Sequence, residues 1–179
     1  MPKYYGCLYC NVLKIDACSL IYLTKADLQG VAKQLYRDLR MTGRVYEEVV
    51  VAGKRRGHPD AYVVDANVEK KNLGVVQFKG ELPSELAKMG RGEAETMMAA
   101  KSEKCTALLD DLRSKTYAAG SGIDHTSVDV LLIEALAKKR ISQDEFEEYA
   151  GRLAGASGMR AERYAELLRI GKLIGGMKR

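Results

Sequence analysis

The sequence predicts an α+β fold: a helix, a three-stranded antiparallel meander and a long helix, followed by an all-helical C-terminal module. Three observations carry this expectation. A capped amphipathic pattern begins at Thr24, three short apolar runs separated by turn-forming residues fill 46–78, and beyond residue 122 only helical periodicity remains. The expected organisation is an α/β domain over 1–119 and a helical module over 123–179, with the small-residue stretch from Ala118 to Gly122 as the linker.

The elements follow in order. Residues 3–23, rich in Tyr, Cys, Val, Ile and Leu, suit one or two short strands with a break at Asp16. Thr24-x-x-Asp27 is a capping arrangement, and Leu28, Val31, Ala32, Leu35, Tyr36 and Leu39 continue a helical face that stops at Gly43. Tyr46 to Ala52 is the first strand of the meander, and Gly53-Lys-Arg-Arg-Gly57 is a basic turn. Ala61 to Asp65 is the second strand and Gly74 to Phe78 the third. A helical region starts at Pro83-Ser84, is interrupted at Gly90 and Gly92, and resumes from Glu93 to Lys115. In the last third, Val128, Leu131, Leu132, Ala135 and Leu136 make one apolar stripe. Ser142-x-x-Glu145 caps a second helix, and Tyr164, Leu167, Leu168 and Leu173 mark a third.

Composition bounds the function. With 46% hydrophobic and 30% charged residues the chain packs a core rather than staying disordered. No apolar run approaches the roughly 18 residues of a membrane helix, and the N-terminus lacks a secretory core, so a cytoplasmic protein without a membrane partner is expected. The net charge of +5 is concentrated in the first 80 residues and suits a polyanionic partner. Cys7-x-x-Cys10, Cys18 and Cys105 read first as core cysteines, with a zinc or iron–sulfur site or a disulfide as alternatives.

The chemistry is expected on the meander. Gln77 and Lys79, two apart on the third strand, project to one face, and Asp60 at the entry of the second strand would sit beside them. A carboxylate and an amide carbonyl are hard oxygen ligands for magnesium or manganese, and a neighbouring lysine would stabilise charge building on a phosphate. Pro59-Asp60 followed by Gln77-Phe78-Lys79 resembles the PD-(D/E)xK nuclease superfamily, in the Gln-x-Lys form of Mrr-like restriction endonucleases, over roughly residues 24–117. The resemblance implies a restriction-endonuclease-like core and a magnesium-dependent phosphodiesterase acting on DNA. Asp60 and Gln77 would be the metal ligands, Lys79 the catalytic lysine, and Glu47 or Glu48 an extra acid.

Basic residues offer contacts to nucleic acid. Lys54, Arg55 and Arg56 cluster in the turn near His58, and Arg160 and Arg163 begin a basic last helix that suits a helix-turn-helix or a homodimer contact. Two other classes stay open: a non-catalytic nucleic-acid-binding or regulatory protein that uses this helix, and a structural or interaction protein of a mobile element.

Overall fold

A run of four residues, Val12–Ile15, forms the central strand β1 of a five-stranded sheet in the computed structural model, which describes residues 11–176. Cys7 and Cys10, like Lys178 and Arg179, lie outside the described residues. Asp16 follows β1 at once and caps helix α1 (Ala17–Lys25), its Oδ1 accepting from the Ser19 amide at 2.7 Å. Helix α2 (Gln29–Leu35) leads to β2 (Asp38–Thr42). Thr42 then caps α3 (Gly43–Tyr46), which runs through a π-helical turn (Glu47–Val51) into α4 (Ala52–Arg55). Helix α5 (Pro59–Glu69) precedes the edge strand β3 (Gly74–Val76).

The second half adds a short 3-10 helix (Ser84–Lys88), α6 (Arg91–Glu103), β4 (Thr106–Leu108), α7 (Leu112–Gly120) and β5 (His125–Thr126). Helices α8 (Val128–Ala137), α9 (Gln143–Ser157) and α10 (Ala161–Gly176) close the chain.

The strand order is β3-β2-β1-β4-β5 and every pairing is parallel. Helices therefore cover both faces, as crossover connections require. Side-chain alternation shows the two faces directly. Leu13, Ile15 and Leu108 point into the larger core, shared with α1, α2, α8, α9 and α10. Ala107 and Leu109 point into the smaller one, with Met97 and Ala100 of α6 and Ala118 of α7. Lys14 projects toward α6; it is fully buried and bonds Glu103 Oε1 at 2.7 Å, so its charge is paired rather than stranded.

This architecture overturns the expected antiparallel meander. Two of its three strands are helices. Val45, Val49, Val50 and Gly53 are buried at helical spacing, so Glu47 and the valines belong to the α3–α4 stretch. Ala61 and Val64 are buried while Tyr62 and Val63 are 56% and 48% exposed, which alternation on a strand would not produce. Pro59 at the first helical position and Asp60 in the first turn start α5. Only the third run forms a strand, and Gln77, Phe78 and Lys79 lie past its end.

Other boundaries moved too. Thr24 ends a helix instead of opening one, and its hydroxyl donates to the Leu20 carbonyl at 2.8 Å. The expected helix from Glu93 to Lys115 is broken after Glu103 by left-handed Lys104, φ 52°, and contains strand β4. The stretch from Ala118 to Gly122 is the end of α7 and a turn into β5. At Ser142 the expected capping box is present, with the Ser142 amide donating to Glu145 Oε2 at 2.7 Å.

Candidate active site at the sheet switch point

In a parallel sheet of this order the chain leaves β1 toward one side and β4 toward the other, which opens a crevice beyond their C-terminal ends. Two apolar strands each deliver an acid there. Asp16 follows β1, and Asp110 follows Leu109 at the end of the β4 run. The pairing of Ile15 with Leu108 and the hydrogen bond from the Asp16 amide to the Leu108 carbonyl, 3.3 Å, bring the two acids side by side.

The site is costly as it stands. Asp16 is fully buried, and its Oδ2, the Asp110 Oδ2 and the Ser19 hydroxyl all lack a hydrogen-bond partner. Burial pushes the Asp16 carboxyl up to about 7; the hydrogen bond from the Ser19 amide opposes this, and the charges of Asp110 and Glu93 add to it. Burial likewise raises Asp110, against an amide bond from Val128 at 3.4 Å. Glu93, on the first turn of α6, is raised by desolvation and by Asp111 and Glu48. The Cys18 thiol reports the same crowding: partial desolvation, then the charges of Asp16, Glu93, Asp110 and Asp111, push it up to about 11.

The neighbours of this centre have fixed tasks. Asp111 caps α7 through the Ser114 amide at 3.0 Å. Glu48 is held by Arg44 at 3.0 Å and lies over Gly92, where a Cβ would come within 2.5 Å of its carboxylate. Gly92 thus lets α6 approach closely enough to bring Glu93 beside the aspartates. Asp129, at the start of α8, accepts from Ser127 and from Arg163, each at 2.5 Å. Burial works against its ionisation, but these two bonds hold its carboxyl below the usual range.

Hard, buried, partly unsatisfied carboxylate oxygens suit a divalent cation with oxygen preference. Among the described residues no three acidic, histidine or cysteine side chains converge closely enough to enclose such an ion without adjustment. The fit therefore rests on the two orphaned aspartate oxygens and the carboxylate of Glu93 beside them.

The residues expected to carry the chemistry sit elsewhere. Asp60 is on the first turn of α5, and Lys79 is exposed in the loop after β3. Gln77 packs over Gly43 and shares a cleft of about 590 Å³ with Glu47, Arg44, Arg91 and Glu95, a cleft not walled by Asp60 or Lys79. Lys54 is bound to Asp65 within the fold, while Arg55 and Arg56 are exposed at the end of α4. Arg160 is exposed just before α10, and Arg163 reaches the acidic centre through Asp129. Sequence reasoning took Asp16 for a break and passed over Glu93 and Asp110. The signal was a repeated pattern, an apolar run closed by an aspartate at a helix start, visible at 12–16 and 106–110.

The family model described as DUF3368, PIN domain, matches residues 13–170 and is consistent with the parallel α/β fold. PIN domains are a nuclease fold distinct from the PD-(D/E)xK superfamily, so the resemblance drawn from Pro59-Asp60 and Gln77-Phe78-Lys79 does not hold. A solved domain of a functionally unknown protein from Methanocaldococcus jannaschii DSM 2661 is 21% identical; the match covers 65% of this chain and 90% of that one, with a TM-score of 0.46. No curated protein matches the chain.

Proposed function

This chain belongs to the PIN-domain family, and from that premise we propose that it is a metal-dependent ribonuclease cutting single-stranded RNA. PIN domains are nuclease-like and typically depend on magnesium or manganese. The observation that carries the proposal is the pair of buried, unpartnered oxygens, Asp16 Oδ2 and Asp110 Oδ2, at the switch point of the parallel sheet.

Each residue has a role that its surroundings support. Asp16 and Asp110 would hold the cation, with Glu93 beside it. When bound, the cation would neutralise charge on the phosphoryl group being cut. The Glu93 carboxyl, raised by its acidic neighbours, is suited to take a proton from an attacking water. Glu48, drawn in by Gly92 and tethered by Arg44, adds negative field and keeps Glu93 basic. The buried floor of the crevice favours a flexible single strand, which can bring one phosphate down to the carboxylates where a stiff duplex cannot.

The test is cleavage of labelled single-stranded RNA, single-stranded DNA and duplex by purified protein with magnesium or manganese. The expected result is cutting of the RNA strand, abolished by EDTA and reduced at least about a hundredfold by Asp16→Asn or Asp110→Asn, because each removes one of few charge-stabilising groups. Cutting that survives both substitutions, or no cutting of any form, would overturn the proposal.

A further inference from the structure

A second cavity of about 180 Å³ shares a wall with the acidic centre. Asp110 and Asp129 form that wall. Tyr22 of α1, half-buried against the main core, lines the cavity too, and Leu153, Ser157, Met159 and Arg163 close it from the C-terminal segment. It is thus built from both ends of the chain, with an aromatic ring, a methionine and a guanidinium beside a carboxylate of the cutting site.

Arg163 is the arginine that lines this cavity. Arg169 is spent on Glu166, which it grips at 2.7 Å through two bonds within its own helix, and Arg152 on Glu148 at 2.5 Å and on Asp27 at 3.6 Å. Arg163 instead reaches across from α10 to Asp129 on α8, with 55% of its side chain still open to solvent. Its guanidinium also lies in the field of Asp110, which, after the Asp129 bond and charge, helps to hold it protonated. A planar donor fork, half exposed beside a nuclease centre, is the chemistry that grips a phosphodiester.

We propose that this cavity is a nucleotide subsite, in which Arg163 contacts a phosphate next to the one being cut and Tyr22 stacks on the neighbouring base. The subsite rests on the nuclease reading above and names how the strand is positioned. The Asp129 carboxylate is the resting partner of Arg163: it keeps the guanidinium extended over the cavity and yields a share of its bonds when a phosphate arrives. Tyr22 supplies a ring face that tolerates any base, and Met159 a polarisable wall. The subsite reads the strand by its backbone and one stacked base, so it favours single strands over duplex and carries little sequence preference.

The experiment measures binding separately from cutting. Fluorescein-labelled single strands of one mixed sequence, as RNA and as DNA, are titrated with the full chain in EDTA across a range of salt concentrations. Arg163→Gln is expected to weaken binding about tenfold and to flatten the salt slope by about 0.7, the loss of one phosphate contact on a single strand. Arg163→Lys should keep the slope. Tyr22→Leu should weaken binding about tenfold at an unchanged slope, and Tyr22→Phe should restore it.

Asp129→Asn separates this role from a structural one. It breaks the same ion pair, yet it should keep the wild-type salt slope and weaken binding less than Arg163→Gln does, because the Arg163 charge remains. If Arg163→Gln and Asp129→Asn lower melting temperature alike while neither moves affinity or slope, the subsite is refuted, whereas RNA cleavage lost on Asp16→Asn would leave the nuclease reading intact. If the unmodified chain binds no strand, the subsite is overturned as well.

Discussion

Asp16 serves both the fold and the candidate site. It caps α1, ends β1 and stands as a fully buried carboxyl with one oxygen unpartnered. A carboxyl raised by burial from 3.8 to about 7 binds its proton more tightly in the folded chain than in the unfolded one. Below about pH 4 both states are protonated and the site costs nothing. As pH rises from about 4 to about 7 the folded state loses stability, on the order of 4 kcal/mol for Asp16 alone. In EDTA the wild type is therefore expected to melt lower at pH 7.5 than at pH 5 relative to Asp16→Asn, with the gap between the two proteins widening over that window. A constant gap in thermal melts would contradict the assignment of Asp16 as a strained, buried acid. Magnesium at pH 7.5 should recover part of the loss, since a ligand that binds only the folded chain stabilises it.

At the scale of elements, the C-terminal helices show how sequence and packing divide the work. The Ser142–Glu145 cap and the apolar stripe of α9 are local and were legible. The seating of α10 was not, because it depends on a glycine. Gly171 lies where a Cβ would meet the Phe146 ring at 2.2 Å, and Phe146 is fully buried. Gly155 on α9 has open space around the same position. Two alanine substitutions in helices should then move stability in opposite directions. Gly171→Ala overpacks the core and costs about 1–3 kcal/mol, while Gly155→Ala gains about 0.5–1 kcal/mol from helix propensity. Denaturant unfolding of the two variants checks this, and a loss at Gly155 or a gain at Gly171 would show that α10 is seated differently.

The same scale explains the misread meander. Val49, Val50, Val51 and Val63, Val64 are β-branched and turn-flanked, so a propensity argument favours strands. Their burial follows helical spacing because the sheet is parallel and needs helices between its strands. The short strands β3, β4 and β5 carry almost no periodicity; Thr106 to Leu108 is buried throughout, which from sequence alone is indistinguishable from a piece of buried helix.

For the whole molecule, the core crosses the division expected near residue 120. Leu131, Leu132, Phe146, Leu153 and Leu167 pack in one cluster with Leu13, Ile15 and Leu20. Removing α10 would take Leu167 out of the core and uncover Phe146 and part of Leu153, and with them the wall beside Asp129. A chain ending at residue 158 should lose about 4 kcal/mol or more and melt at least about 10 °C lower. Differential scanning calorimetry tests this; an unchanged melting temperature would show that α10 is an appendage to the core. No helix among the described residues is long and apolar enough to cross a membrane.

What the sequence alone determined is local: the Ser142–Glu145 cap, a strand beginning at Gly74, the apolar faces of α8 and α9, and a chain rich enough in apolar residues to bury a core. It also held the two acids in plain view, each closing an apolar run. The tertiary structure decided that these runs are neighbouring parallel strands, and so that Asp16 and Asp110 meet while Asp60, Gln77 and Lys79 do not share a centre. The reason is physical. Caps and faces are set by contacts within a few residues, whereas strand order is set by which crossover buries both faces of the sheet, a property of the whole chain that no local spacing records.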